Sequence, residues 1–262
     1  RTGLEVQLCG DAHLANFGAF ASPDRTLVFD LNDFDETLPG PFEWDLRRLV
    51  ASFEVAARHR SFDEPTRVQV VTDCVLAYVR GMRELSRMAN LDVWYARMTV
   101  EEIAQRWGQT ASKTMIRRFQ RTVDKAKSKD RLRAFEKLVA VENGQARFRS
   151  DPPVVVPARE LVGVEDVDAL WETISGALDN YRDTLAPDRQ VLLDRYRFVD
   201  LARKVVGVGS VGTRCWVALL LGDDDGDPLF IQVKEAQASV MEPYLGTSRY
   251  PQHGQRVVEG QR

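Results

Sequence analysis

A chain of 262 residues, 44% hydrophobic and 29% charged, can bury a sizeable core in one large or two small domains. Its formal net charge of −3 excludes a globally basic nucleic-acid binder and argues against nucleic acid as a partner. Cys9, Cys74 and Cys215 are odd in number and lack metal-ligand spacing, which predicts free thiols in a reducing compartment. No run reaches the ~18–20 apolar residues of a membrane span, and Arg1–Glu5 lacks the order of a signal peptide. The expectation is a cytoplasmic protein with no membrane partner. It starts at Arg1 and stops in Val257–Arg262, which reads as a helix cut short, so the sequence is expected to be a piece of a longer chain.

In chain order, residues 4–9 and 26–31 read as strands, and Ala21-Ser22-Pro23-Asp24-Arg25 supplies turn chemistry that predicts a hairpin of the two. After Pro39-Gly40-Pro41, the residues Trp44, Leu46, Leu49, Val50, Phe53 and Val55 recur at helical spacing to about Arg58. Pro65 suits a first helical turn, and Val68 through Met82 form a long apolar stripe. Thr99 with Glu102 fits a capping box. Further helices are predicted near 112–141, 165–184 and 187–196, interrupted by an extended piece from Asp151-Pro152-Pro153 to Pro157. Beyond about Phe198 the texture turns β-rich: Val199–Val206, Cys215–Leu221 and Pro228–Val233 predict a three-stranded antiparallel sheet, with Gly222–Asp227 as a hairpin turn and a helix starting near the end.

The chemistry-bearing residues concentrate near the N-terminus. Gly10-Asp11-Ala12-His13-Leu14-Ala15-Asn16 follows the first apolar run, and Asn32-Asp33-Phe34-Asp35-Glu36 follows the second. Asp30, Asp33, Asp35 and Glu36 crowd carboxylates whose repulsion is costly unless a cation or basic neighbours neutralise it; a solvated acidic turn is the plain alternative. For Asp11 and Asn16 the plain alternative is a surface turn capping backbone amides. Paired with a metal site, Asp11 is the proton acceptor and Asn16 a metal ligand, as phosphoryl transfer requires. A basic stretch from Lys113 to Lys137 reads either as an anion-recruiting surface or as the solvated face of helices packed through Ile116, Phe119, Leu132, Phe135 and Leu138.

Cys9 through Asn16 resembles the H-G-D-x-H-x-x-N catalytic loop of aminoglycoside and choline kinase-like phosphotransferases, with Cys9 at their first His. Asp33-Phe34-Asp35 resembles their metal-binding segment, and Asp45-Leu46, twelve residues beyond Asp33, their next helix start. More closely, Gly10 to Asp45 resembles the bacterial family DUF2252, a likeness that spans nearly the whole chain.

What the kinase-like resemblance implies is an α+β, protein-kinase-like fold: a helical large lobe plus a small antiparallel β lobe. Residues 1–60 would hold the catalytic loop and metal segment, 61–197 the helical part of the large lobe, and 198–262 the small lobe. Gly207-Val208-Gly209-Ser210-Val211-Gly212, followed by strand, turn and a strand ending in Lys234, resembles the order of a kinase nucleotide-covering lobe. Gly207, Gly209, Ser210, Gly212 and Lys234 would hold the phosphates, with Glu259 the acidic partner of Lys234 ahead of Glu235 and Glu242. Because these elements follow Asp11 rather than precede it, the lobe order would be circularly permuted.

The expected activity is therefore an ATP- and magnesium-dependent phosphotransferase acting on a small-molecule or protein acceptor. Asp11, Asn16 and Asp33 form its catalytic set, and Asn16, Asp33, Asp30 and Asp35 its metal set, with Asp30 and Asp33 competing as main ligand. Nucleotidyl transfer on the same fold and a non-catalytic nucleotide-binding module are the alternatives.

Overall fold

The computed structural model describes residues 2–108, 112–127, 131–161, 167–205, 214–224 and 226–261. They form a mixed α+β structure of helices and small antiparallel sheets, in two compact units: Arg1–Lys127 with Ala236–Arg262, and Ser128–Glu235.

In the first unit, strand β1 (Glu5–Leu8) is followed by a 3-10 turn (Leu14–Asn16), β2 (Phe17–Ala21), β3 (Leu27–Leu31) and β4 (Leu38–Pro41). The expected hairpin of residues 4–9 with 26–31 does not form. β3 pairs with β2, closed by the turn in which Ser22 N–H and Arg25 N–H bond to Thr26 O and Ser22 O. β1 pairs instead with β4, from Glu5 opposite Pro41 to Leu8 opposite Leu38. Residues 17–21, FGAFA, carry no charge that would have marked them as a half-exposed strand. The prolines of β4 are tolerated because its sheet has only two strands.

Helix α1 (Glu43–His59) carries Glu43 and Asp45 in its first turn and Arg58 and His59 in its last, matching the helix dipole. α2 (Glu64–Leu85) starts where the Asp63 carboxylate accepts the Thr66 N–H, with Pro65 in the first turn as expected. α3 (Asn90–Trp94) leads to α4 (Val100–Gly108), whose capping box is formed: Thr99 N–H donates to Glu102 Oε2 (2.8 Å) and Glu102 N–H to Thr99 Oγ1 (3.1 Å). α5 (Lys113–Lys127) half-buries Ile116, Phe119 and Val123 and exposes Arg117, Arg118 and Arg121, the pattern of a solvated basic face.

The second unit opens with α6 (Arg131–Leu138), and the predicted helix ends there. Residues 139–148 form a hairpin of β5 (Val139–Glu142) and β6 (Gln145–Phe148). Its turn is Asn143-Gly144, both at positive φ (52° and 77°), the two-residue loop whose twist suits paired strands. β7 (Val155–Pro157), α7 (Val167–Asp183), α8 (Pro187–Leu193), β8 (Arg197–Lys204), β9 (Cys215–Leu221) and β10 (Pro228–Lys234) follow. The sheet has four strands rather than three, in the order β10-β9-β8-β7.

β9 reads as an unbroken apolar run because both of its faces are buried. Val217, Leu219 and Leu221 pack with Phe148 and Val139, against Phe135 and Leu138; Ala218 and Leu220 pack against Trp171 and Ile174. Inside the first of these cores the Asp200 carboxylate is fully buried. It accepts from Phe148 N–H (2.7 Å), Leu201 N–H (2.9 Å) and Arg159 Nη1 (3.1 Å), which offset part of its loss of water, burial still raising its proton affinity.

The chain then returns to the first unit as α9 (Glu242–Leu245) and α10 (His253–Gly260). Met241 joins Leu8 and Leu38 in its core, with Trp44 and Leu245 against it. Residues 236–261 thus belong with the N-terminal region, and the four-stranded sheet takes only β7 from the expected helical region, the 139–148 hairpin forming a separate two-stranded sheet packed against it. No helix among the described residues is long and apolar enough to cross a membrane.

Candidate functional site

The two motif loops are brought face to face by strand pairing at both of their ends. Residues 9–16 leave β1 at Leu8 and enter β2 at Phe17; residues 32–37 leave β3 at Leu31 and enter β4 at Leu38. Leu8 is opposite Leu38 and Phe17 is opposite Leu31, so neither loop can drift from the other without breaking a ribbon.

Asn16 stitches the loops together. It is 5% exposed, and its Nδ2 donates to Asp33 O (2.9 Å), Asp11 O (3.1 Å) and Cys9 Sγ (3.4 Å), while its Oδ1 accepts Asp33 N–H (2.8 Å). One lone pair of Oδ1 remains beyond that bond. Cys9, also buried, donates its Sγ–H to Asp33 O at 3.2 Å, and burial pushes its thiol up to about 11. Cys9 is therefore a neutral thiol packed against the backbone. Gly10 has φ +95°, and a Cβ there would overlap the Glu36 carbonyl, so the crossing point of the loops requires glycine.

One face of α1 receives the first loop. Asp45 accepts Cys9 N–H at Oδ2 (2.7 Å) and Gly10 N–H at Oδ1 (3.0 Å); its burial raises its proton affinity while these amides oppose the rise. Arg48 Nε donates to Asp11 Oδ1 at 2.7 Å, and Ser52 Oγ accepts Leu14 N–H at 2.9 Å. Positions 45, 48 and 52 are spaced i, i+3, i+7, so they share a helix face. Arg48 and Ser52 were not singled out from the sequence, in which they are ordinary polar positions of a helix.

The other oxygen of Asp11 lies 3.6 Å from His13 Nε2. His13 Nδ1 accepts Ala15 N–H at 3.1 Å, which assigns the ring proton to Nε2, on the side of Asp11.

The acidic loop is held from behind by the C-terminal segment. Arg256, 1% exposed, donates through Nη1 to Thr37 O (2.7 Å) and through Nη2 to Asp35 O (2.7 Å) and Gln237 O (2.8 Å). Glu36 Oε2 accepts Val240 N–H, and Glu36 O accepts Ser239 Oγ–H. Nothing in the sequence around Arg256 marks it as part of the site.

Asp33 therefore shares its loop with the Asn16 stitch, its Oδ1 accepting Asp35 N–H at 3.2 Å. Asp30 lies upstream, exposed in β3 opposite Gly18, its carboxylate accepting Leu31 N–H. Lys234 ends β10, exposed and opposite Cys215, in the second unit; Glu235 beside it accepts Arg214 N–H and faces the Arg214 guanidinium. Glu259 is exposed on α10 in the first unit. Gly207, Gly209, Ser210 and Gly212 lie outside the described residues.

Among the described residues no three His, Cys, Asp or Glu side chains group so as to hold a metal ion by themselves. The donors around the loops are hard oxygens with a neutral thiol. That set fits a magnesium-type ion bound through one or two carboxylates and completed by an anion's oxygens, and does not fit a soft-metal cage.

The chain matches over residues 1–262 the family model described as an uncharacterized protein conserved in bacteria, DUF2252, and belongs to that family. No curated protein and no solved structure matches it.

Proposed function

We propose that this member of the family is a kinase-like phosphotransferase that moves the γ-phosphoryl group of ATP to an acceptor hydroxyl. The observation that carries the reading is the pairing of Asp11 with Asp33 on facing loops, cross-linked by Asn16 and anchored to α1 by Asp45. Two carboxylates with different surroundings suit two different tasks.

Asp11, 46% exposed, orients an incoming hydroxyl and accepts its proton. Asp33, with the remaining lone pair of Asn16 Oδ1, would hold magnesium, and Asp30 and Asp35 are the outlying carboxylates. Magnesium-bound ATP, when present, supplies the phosphoryl group with its charge partly neutralised. Lys234, Gly207, Gly209, Ser210 and Gly212 are assigned to phosphate binding, and Glu259 to Lys234, from the sequence pattern; the permuted lobe order belongs to the same reading. The acceptor is a small molecule or a protein.

Incubation of the full chain with Mg·ATP labelled at the α or the γ phosphate tests it. Release or transfer of γ label only, abolished by Asp11→Ala and accompanied by weakened ATP binding in Lys234→Ala, is the expected result. Transfer of α label would assign nucleotidyl transfer instead. Absence of both turnover and Mg·ATP binding would overturn the reading.

A further inference from the structure

Arg48 has no place in the motifs, yet among the described residues it makes the shortest contact to the carboxylate of the proposed proton acceptor. Its Nε donates to Asp11 Oδ1 at 2.7 Å, and no other described residue accepts from its guanidinium. The contact is not an incidental surface pair, because the helix turn that carries Arg48 is itself bound to the same loop. Asp45, three residues before it, holds the amides of Cys9 and Gly10 on one side of Asp11, and Ser52, four residues after it, holds the amide of Leu14 on the other. Backbone on both sides of Asp11 is thus fixed to α1, and Arg48 is the member of the same helix face that reaches its side chain.

With Asp11 half exposed, only His13, 3.6 Å from Oδ2, would otherwise restrain its χ angles. A single charge-assisted bond through Nε, a donor close to the rigid end of the guanidinium, selects one carboxylate orientation. It leaves Oδ2 for His13 and for an incoming hydroxyl.

We propose that Arg48 is a positioning residue: it holds the Asp11 carboxylate in the orientation that meets the acceptor hydroxyl, and acts through Asp11 alone. The inference rests on the phosphotransferase reading for its kinetic consequence, but the tether can be tested without it.

The kinetic test uses ATP hydrolysis by the full chain, with water as acceptor, in a double-mutant cycle. Arg48→Ala should lower kcat by ~10- to ~100-fold, the scale of a misplaced reacting group, with Mg·ATP affinity and melting temperature near the wild-type values. Arg48→Lys should recover part of the loss, and added guanidinium at non-denaturing concentration should partly rescue Arg48→Ala. In the Asp11→Asn background, Arg48→Ala should cost little more, because the two residues act as one unit. Arg47→Ala, exposed on the same helix, should match wild type. A kcat within twofold of wild type in Arg48→Ala, or an undiminished loss in the Asp11→Asn background, would overturn the proposal.

The second measurement is the solvent exchange of the Arg48 Nε–H by nitrogen-15 NMR, assigned with Arg48→Lys. It should be slower in the wild type than in Asp11→Ala. Equal exchange in both overturns the tether whether or not ATP is turned over. Slower exchange in a wild type that turns over no ATP rejects the phosphotransferase reading, and with it the catalytic consequence, while leaving the contact itself standing.

Discussion

Replacing Asn16 by Asp separates the two jobs that one side chain can have at this position. If oxygen ligation of a cation were its main task, Asp would keep an oxygen in place and add charge. The structure demands instead a donor: Nδ2 is within 3.1 Å of two carbonyl oxygens, Asp33 O and Asp11 O, and 3.4 Å from Cys9 Sγ, in a pocket where the residue is 5% exposed. Losing the two N–H···O bonds costs ~1 kcal/mol each, and a carboxylate facing two carbonyls out of water adds several more unless it protonates. The sum is about 3–5 kcal/mol for Asn16→Asp, a large part of a typical folding free energy of ~5–15 kcal/mol. Asn16→Ala should cost somewhat less, about 2–4 kcal/mol, because it strands Asp33 N–H but buries no charge.

Guanidinium chloride unfolding of the variants gives these differences. Hydrogen exchange read on peptides covering residues 9–16 and 32–37 localises them to the two loops. Wild-type protection of both loops in Asn16→Asp, with a stability change below ~1 kcal/mol, would refute the stitch and restore a purely ligating role.

Cys9 predicts an alkaline signature. Its thiol is raised from 9.0 to about 11 by burial, so the folded state holds the proton more tightly. The stabilisation is complete below the unfolded value of 9.0 and is lost as pH rises through about 11. Between these limits the stability difference between wild type and Cys9→Ala should shrink by about 2–3 kcal/mol, measured by urea unfolding at pH 8 and 11; a pH-independent difference would contradict it. Arg256→Met removes three bonds to the carbonyls of Thr37, Asp35 and Gln237. It should destabilise the first unit by about 3–5 kcal/mol and free the amides of residues 33–37 to exchange, with Arg256→Lys intermediate.

Local features read true where the signal is local. The Thr99–Glu102 box, Pro65 in a first turn, the α1 periodicity and the run Cys215–Leu221 all express choices made within a few residues, and each stands in the structure where the sequence puts it. Asp11, Asn16 and Asp33 were legible as a group because they fall in two short acidic motifs that each follow an apolar run.

What tertiary structure alone decided are the relations between distant segments. β1 was expected to pair with residues 26–31. It pairs with β4 while β3 pairs with β2, a choice of partner that no periodicity encodes. Arg48 is an ordinary helix-surface arginine until α1 docks on the loop, and Arg256 an ordinary helical arginine until the chain returns to bury it under residues 35–37. The amino-acid sequence by itself determined which residues stand in the two motif loops. Which backbone atoms hold them in place depended on long-range hydrogen bonds, whose donors and acceptors every residue possesses and only the fold brings within reach.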